Sequence, residues 1–133
     1  MAVWIVILVD SDVLIAHLRG LPQARAWLRD ARTRAGPLAV SVVSVTELTG
    51  GMRAAEKRAV WQLIASLRVE EVTEIAARLA GEFMRTYRQS HSGIGLADYL
   101  IAGTAATRGL DLATLNVRHF PMFPGLEAPF KLH

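Results

Sequence analysis

The sequence predicts an α/β protein, a three-layer α/β/α sandwich around a central, mainly parallel sheet of four or five strands. Mostly apolar runs, such as residues 4–9 and 38–43, are typical of strands that are buried on both faces of a parallel sheet. Amphipathic segments of helical length separate these runs, which is the pattern of successive βαβ units. The chain of 133 residues contains no internal repeat or linker, so we expect one domain over residues 1–133.

The first half of the chain alternates strands with helices whose ends carry caps and breakers. An apolar strand over 3–9 precedes a helix over 12–19, which a glycine ends. A proline opens the second helix over 22–34, and a Gly-Pro pair ends it. The β-branched run over 38–43 is the second strand. Ser44 then begins the third helix.

The second half repeats the alternation. Thr73 is expected to cap the fifth helix, in which apolar residues recur every four positions from Ile75 to Tyr87. The sixth helix is rich in small residues, which predicts close packing on the sheet. Trp27 and Trp61 lie on amphipathic helices and are expected in the core. The predicted elements here are a helix over 54–67, a strand over 68–72, helices over 73–89 and 96–108, a strand over 110–115 and a candidate fifth strand in the tail 121–133.

Composition narrows the class of protein. The net charge of +3 and the sequence pI of about 10.0 favour anionic partners, nucleic acid above all, but they fit a basic protein without such a partner equally well. The absence of cysteine excludes disulfides, thiolate metal sites and a cysteine nucleophile, and it suits a cytoplasmic location. The apolar start over 2–9 is far shorter than the roughly 20 residues that span a bilayer, so we expect no membrane segment and no signal peptide.

Four of the twelve acidic residues have no lysine or arginine within four positions on either side. The other eight have such neighbours and are expected to be ordinary solvated or paired surface charges. A buried carboxylate without a partner is unfavourable unless it is paired or binds a metal. The four are Asp10, Asp12, Glu47 and Asp98.

Each of these carboxylates also has a structural explanation. Ser11 or Asp12 can cap the first helix, which is the better interpretation of Asp12, and Glu47 completes a capping box that starts at Ser44. Asp98 suits the first turn of a helix. Asp10 has the weakest structural explanation, because a strand end does not need a carboxylate.

The positions of these carboxylates in the predicted elements nonetheless favour one shared site. One acid ends a strand and the others lie in helix first turns, so Asp10, Glu47 and Asp98 are expected to converge at the carboxyl ends of the strands, where α/β sheets bind ligands. Several carboxylate oxygens without a His or Cys cluster suit Mg²⁺ or Mn²⁺. Such sites catalyse phosphoryl chemistry.

Four motifs in order then resemble one family. The segments 9–15 (VDSDVLI), 41–50 (SVVSVTELTG), 97–102 (ADYLIA) and 112–120 (LATLNVRHF) look like the conserved segments of PIN-domain ribonucleases, specifically VapC-type toxins of toxin–antitoxin pairs. Each motif alone is weak, but together they cover nearly the whole chain. The fold is therefore expected to be PIN-like.

The resemblance implies a Mg²⁺-dependent endoribonuclease, with Mn²⁺ as a substitute, that is usually a homodimer and is inhibited by a cognate VapB-type antitoxin. Antitoxins of this family insert apolar segments between the early helices and bring an arginine to the acidic site. By position, Asp10, Glu47 and Asp98 carry the metal-binding and catalytic roles. The residues expected to assist them are Ser11, Asp12 and Thr114, with Asn116 in the catalytic set.

The last motif departs from the family pattern. Many relatives have a fourth acidic residue near the position of Asn116, whereas Asn116, Arg118 and His119 here are all non-acidic. Asn116 can offer only a neutral carbonyl oxygen. For RNA binding, the candidates are Arg19, Arg25, Arg29 and Arg118, although a solvated arginine face explains them equally well.

Two alternatives stay open. A degenerate PIN domain would bind RNA or an antitoxin without cleavage. The Asp10-Ser-Asp12 sequence also resembles the DxD loop of haloacid-dehalogenase-like phosphatases, with Asp10 as nucleophile, but the lysine and the later acidic pair of that chemistry are not evident.

Overall fold

The structure, a computed structural model, describes residues 5–132 and confirms the predicted fold class. Its four strands form one parallel sheet in the order β3-β2-β1-β4. Residues 3 and 4 of the first predicted strand, and residue 133, lie outside the described part. The strands are β1 (Ile7–Val9), β2 (Ala39–Ser41), β3 (Arg68–Glu70) and β4 (Asp111–Ala113). The helices are α1 (Ser11–Leu18), α2 (Pro22–Ala35), α3 (Val42–Gly51), α4 (Lys57–Ala65), α5 (Glu74–Tyr87) and α6 (Leu96–Arg108), with short 3₁₀ turns at Ala54–Glu56 and Val117–His119.

Successive strand residues point to opposite sides of the sheet, so both of its faces carry apolar side chains. Helices cover each face. Val9 and Val40 lie in one core with buried side chains of α1, α2, α3 and α4. Leu8 and Ala39 lie in the other core with α6 and Phe120. The result is the predicted three-layer arrangement. Within residues 5–132, no helix combines the length and the apolar character needed to cross a membrane.

The helix pair α5–α6 packs unusually closely. A Cβ atom built on Gly103 would lie 2.3 Å from the backbone oxygen of Ala76, so only glycine fits this crossing. The small residues of α6 were expected to serve packing on the sheet, but Gly103 faces α5 instead. The buried face of α5 consists of Ala76 and Ala80, whereas Ile75 is 68% exposed, so the predicted apolar repeat begins on the wrong face.

The predicted fifth strand is wrong for the described tail, residues 121–132, which contains no strand. Three prolines in this tail lack the amide hydrogen that a strand needs. The rings of Phe120 and Phe123 stack with their centroids 6.5 Å apart, and Phe130 packs against the α1–α4 core. The tail therefore contributes to both cores without extending the sheet.

Two further predictions are corrected by burial. Trp27 packs against the core as expected, but Trp61 is 47% exposed on α4. Glu70 was expected to be a solvated or paired surface charge; it is paired with Arg68, but it is only 6% exposed at the end of β3. Arg68 lies 2.9 Å and Arg108 3.7 Å from its carboxylate oxygens. Two arginines therefore balance the charge of Glu70 on the edge strand.

Candidate active site

The register of the two neighbouring strands β1 and β4 builds the centre of the site. Val9 pairs with Ala113, and the Asp10 amide donates a hydrogen bond to the Ala113 carbonyl at 2.9 Å. The next residues, Asp10 and Thr114, therefore leave the sheet side by side. The Thr114 hydroxyl donates to Asp10 Oδ2 at 2.8 Å, and both residues are buried.

Asp10 is a buried carboxylate that also caps a helix. Its Oδ1 accepts the Ser11 amide at 2.8 Å, which makes Asp10 the N-cap of α1. The prediction that Ser11 or Asp12 caps this helix is wrong, because α1 begins one residue earlier than expected. Burial, followed by the charge of Asp12, raises the pKa of Asp10 from 3.8 to about 6.

Asp12 connects α1 to the segment after β4. Its Oδ2 accepts the Leu115 amide at 3.0 Å and lies 3.3 Å from the Thr114 hydroxyl, whose single proton is directed to the closer Asp10. Its Oδ1 is buried and has no hydrogen-bond donor within residues 5–132. Burial raises the pKa of Asp12 as well. Asp12 is therefore a supporting acid of the site and not a helix cap.

Glu47 joins the site through a hydroxyl. Ser11 Oγ donates to Glu47 Oε1 at 2.9 Å, so Ser11 stands between Glu47 and Asp10. The predicted capping box with Ser44 is not formed, because Ser41 caps α3 and Ser44 lies one turn inside it, with its hydroxyl buried and unpartnered in the described chain. Glu47 itself is exposed, at the rim of a cleft of about 350 Å³.

Asp98 lies partly buried in the first turn of α6. Its Oδ2 accepts the Gly95 amide at 3.1 Å and lies 3.1 Å from His119 Nδ1. The sequence offers Asp98 no nearby lysine or arginine, but the chain brings a histidine to it from the Val117–His119 turn. The charge of Asp98 also contributes to the raised pKa of Asp10, so the two carboxylates share one region.

Asn116 contacts the site through its backbone amide and not through its side chain. Its amide donates to the Thr114 hydroxyl at 3.1 Å, and its exposed side chain makes no hydrogen bond within residues 5–132. His119, by contrast, contacts an acid of the site directly. Asp111, the other acid of this segment, pairs with Ile7 at the opposite end of β4 and does not belong to the site.

Comparison with known proteins decides the family. The model of the PIN domain family matches residues 7–122. The chain belongs to the PIN domain family.

The relatives of this PIN domain are similar over almost their full length. The chain is 65% identical over 124 residues to the protein named ribonuclease VapC10 of Mycobacterium tuberculosis (strain ATCC 25618 / H37Rv), covering 93% of this chain and 92% of that one. It is 42% identical over 123 residues to ribonuclease VapC19 of the same strain, covering 92% and 98%. Its fold is similar to the DNA-bound VapBC structure from Salmonella typhimurium, with a TM-score of 0.76 at 25% identity over 93% of this chain and 96% of that one.

The donor set of this PIN domain fits a hydrated Mg²⁺ better than a closed metal cage. No three His, Asp or Glu side chains within residues 5–132 lie close enough together to form a ready-made metal site. Two neighbouring acids with raised pKa values, one of them with an orphaned oxygen, nevertheless leave negative charge that a cation would stabilise. Mg²⁺ is commonly held by one or two carboxylates and keeps several waters.

The four arginines predicted to bind RNA do not form one surface of the PIN domain. Arg19, at the end of α1, lines the cleft beside Glu47, and Arg118 is exposed next to His119. Arg25 and Arg29 lie on α2 and line a separate depression. The sequence correctly placed these arginines on the surface, but it could not assign them to surfaces, because that depends on how α1 and α2 pack.

Proposed function

We propose that this PIN domain is a metal-dependent endoribonuclease and the toxin of a toxin–antitoxin pair. The observation that carries the proposal is the buried Asp10, held beside Asp12 and Asp98 at the carboxyl ends of the strands. Relatives named ribonuclease VapC10 and VapC19 support the same conclusion. Such an enzyme would act in the cytoplasm, where its RNA is found.

The proposed metal is Mg²⁺, with Mn²⁺ as a substitute. Asp10 and Asp98 would hold the ion, with Glu47 reaching it directly or through water. When bound, Mg²⁺ would supply polarisation of the scissile phosphodiester and a lowered pKa of the attacking water.

The chain's own residues position these carboxylates. Thr114 and the Ser11 amide each hold one oxygen of Asp10, and the Ser11 hydroxyl orients Glu47. These contacts limit the rotation of both carboxylates before substrate arrives. Because such orientation removes reorganisation from the reaction step, it favours catalysis.

His119 is proposed to orient Asp98. The Gly95 amide and the His119 ring, with its proton on Nδ1, both donate to Asp98 Oδ2. Asp98 Oδ1 has no hydrogen-bond donor within residues 5–132. Partners of this kind fix metal-binding carboxylates in other proteins. In this proposal the last motif contributes His119 as a partner of Asp98 and supplies no fourth acid.

Cleavage of RNA by the purified, antitoxin-free protein tests the proposal. Mg²⁺ or Mn²⁺ should support cleavage and EDTA should abolish it. Asp98→Asn should reduce the rate at least a hundredfold while the protein stays folded. The matched control is Asp111→Asn, which changes an exposed acid at the far end of β4 and should leave the rate unchanged.

The outcome also separates the alternatives. Equal cleavage by wild type and Asp98→Asn, or cleavage that persists in EDTA, would contradict the assignment of a metal-dependent active site to these carboxylates. A degenerate PIN domain would bind RNA without cutting it under any of these conditions. The phosphatase alternative has little support, since Lys57 begins α4, Lys131 lies in the tail and neither follows a strand.

The proposed antitoxin site is the cleft beside Glu47. Its walls carry apolar side chains of α1, α3 and α4, among them Leu18, Leu48 and Val60. An apolar antitoxin segment would fit these walls and would bring a basic side chain to Glu47. The structure of similar fold from Salmonella typhimurium is a DNA-bound VapBC. Leu18→Gln should weaken binding of the cognate antitoxin.

We also propose that the protein forms a homodimer, and light scattering tests this.

A further inference from the structure

A second feature lies on the outer face of α2, away from the acidic site. A depression of about 600 Å³ is lined by four nitrogen-bearing side chains, and none of its lining residues is acidic. Three of them lie at positions i, i+4 and i+7 of α2, which places them along one face of the helix. These lining residues are His17, Arg25, Arg29 and Arg32, with Leu28 and Thr33.

The positive charge of this depression is not neutralised by the described chain. Within residues 5–132, no carboxylate lies at ion-pair distance from Arg25, Arg29 or Arg32. Arg32 donates to the neutral hydroxyl of Ser66 at 2.8 Å, which orders its side chain without balancing its charge. Three guanidinium groups close together repel one another, so a bound anion would stabilise them.

His17 lies beside these arginines in the lining of the depression. Its Nδ1 is buried and has no hydrogen-bond partner in residues 5–132. Burial, and then the charges of Arg25 and Arg32, lower the pKa of His17, which shows that the positive potential extends to the ring.

We propose that this depression, formed by His17, Arg25, Arg29 and Arg32, binds the phosphodiester backbone of the RNA outside the acidic site. Guanidinium forks match phosphate oxygens in a bidentate geometry. Arg25 and Arg32 are separated by about 10 Å along the helix axis, a span that suits a stretch of backbone better than one small anion.

The location determines what such a contact would do. His17 lies in the last turn of α1, whereas Asp10 caps its first turn, so the depression would hold RNA that flanks the cleavage position. Phosphate contacts of this kind add affinity and orientation but carry no sequence information. The inference rests on the proposed ribonuclease function and assigns to it a part of the substrate-binding surface.

Fluorescence anisotropy with a labelled single-stranded RNA, in EDTA to prevent cleavage, tests the inference. The triple variant Arg25→Gln, Arg29→Gln and Arg32→Gln should bind roughly tenfold or more weakly, and the slope of log Kd against log salt should fall by about 2. The control Arg34→Gln, which changes an exposed arginine of α2 outside the depression, should stay within about twofold of wild type. Thermal unfolding verifies that both variants are folded.

Each result has a defined meaning. An unchanged RNA affinity and salt slope in the triple variant would overturn the inference, as would wild-type protein that does not bind RNA at all. Loss of antitoxin binding with RNA binding intact would assign the depression to an acidic peptide instead. If the wild type binds RNA through these arginines but never cleaves it, the ribonuclease proposal fails and the phosphate site stands.

Discussion

Asp10 carries a charge that its surroundings disfavour. Its pKa of about 6 exceeds the value of 3.8 expected for an exposed aspartate, because the side chain is 6% exposed and Asp12 is its neighbour. A raised pKa means that the metal-free folded state binds a proton more readily than the unfolded state. The corresponding contribution to stability is complete below pH 3.8 and is lost as the pH rises through about 6.

Asp10→Asn should therefore stabilise the metal-free protein at neutral pH while it abolishes RNA cleavage. The gain is at most about 3 kcal/mol, since one pKa unit corresponds to about 1.4 kcal/mol. The Asn oxygen can still accept the Ser11 amide, and Thr114 can turn its proton to Asp12. Denaturation in EDTA at several pH values measures the effect. A variant that is less stable than wild type at pH 7.5 would contradict this account of Asp10.

His119→Ala should weaken Mn²⁺ binding by about 10–100-fold, because Asp98 loses a donor that orients it. Calorimetric titration of Mn²⁺ measures this without an activity assay. His119→Asn places an amide N–H near the position of Nδ1 and should restore part of the affinity. Arg118→Ala, next in the chain but exposed, is the control. Equal Mn²⁺ affinity in all four proteins would exclude the orienting role.

The candidate site was only partly accessible from the sequence at the residue scale. The lack of cationic neighbours distinguished Asp10, Asp12, Glu47 and Asp98, because such local pairing is visible in the chain. The contacts between Ser11 and Glu47 and between His119 and Asp98 were not visible, since each joins residues from different elements. Asp12 was assigned to a cap because a one-residue shift of α1 is beyond what capping patterns resolve.

At the scale of elements, the close packing of α5 against α6 depends on one glycine. Gly103→Ala should destabilise the protein by about 1–3 kcal/mol, because the new methyl group would meet the backbone of Ala76 and force α5 away from α6. The control Gly81→Ala lies on α5, meets nothing within 4 Å and should gain up to about 1 kcal/mol from helix propensity. Chemical denaturation measures both. Equal stability of the two variants would show that α6 can move away at little cost.

The positions of the elements were predictable, and so were the lengths of α2 and α6, but the lengths of the strands were not. The sequence located all four strands of the described chain, but each spans only three residues. β1 and β2 end early because the chain turns into α1 and α3. The run over 38–43 was assigned entirely to a strand, although α3 begins at Val42. Apolar β-branched residues suit a buried helix start as well as a strand, so composition alone does not divide them.

On the scale of the whole molecule, the buried acids of the site and the unpaired arginines of α2 lie on different elements. The acids gather at the carboxyl ends of β1 and β4, and unpaired arginines lie along α2. This division suits a substrate with a negatively charged backbone, since the basic surface attracts it and the acidic site, once neutralised by a metal, acts on it. The fold class and the order of elements followed from the sequence, but the division of charge needed the packing of α1 against α2.

A crystal structure of the antitoxin-free protein soaked with Mn²⁺ tests the central claim most directly. Anomalous scattering should locate an ion with oxygens of Asp10 and Asp98 at about 2.1 Å and with Glu47 bound directly or through water. The same ion should be absent from crystals of Asp98→Asn. An ion bound elsewhere, or no ion at a Mn²⁺ concentration that supports RNA cleavage, would contradict the assignment of these carboxylates.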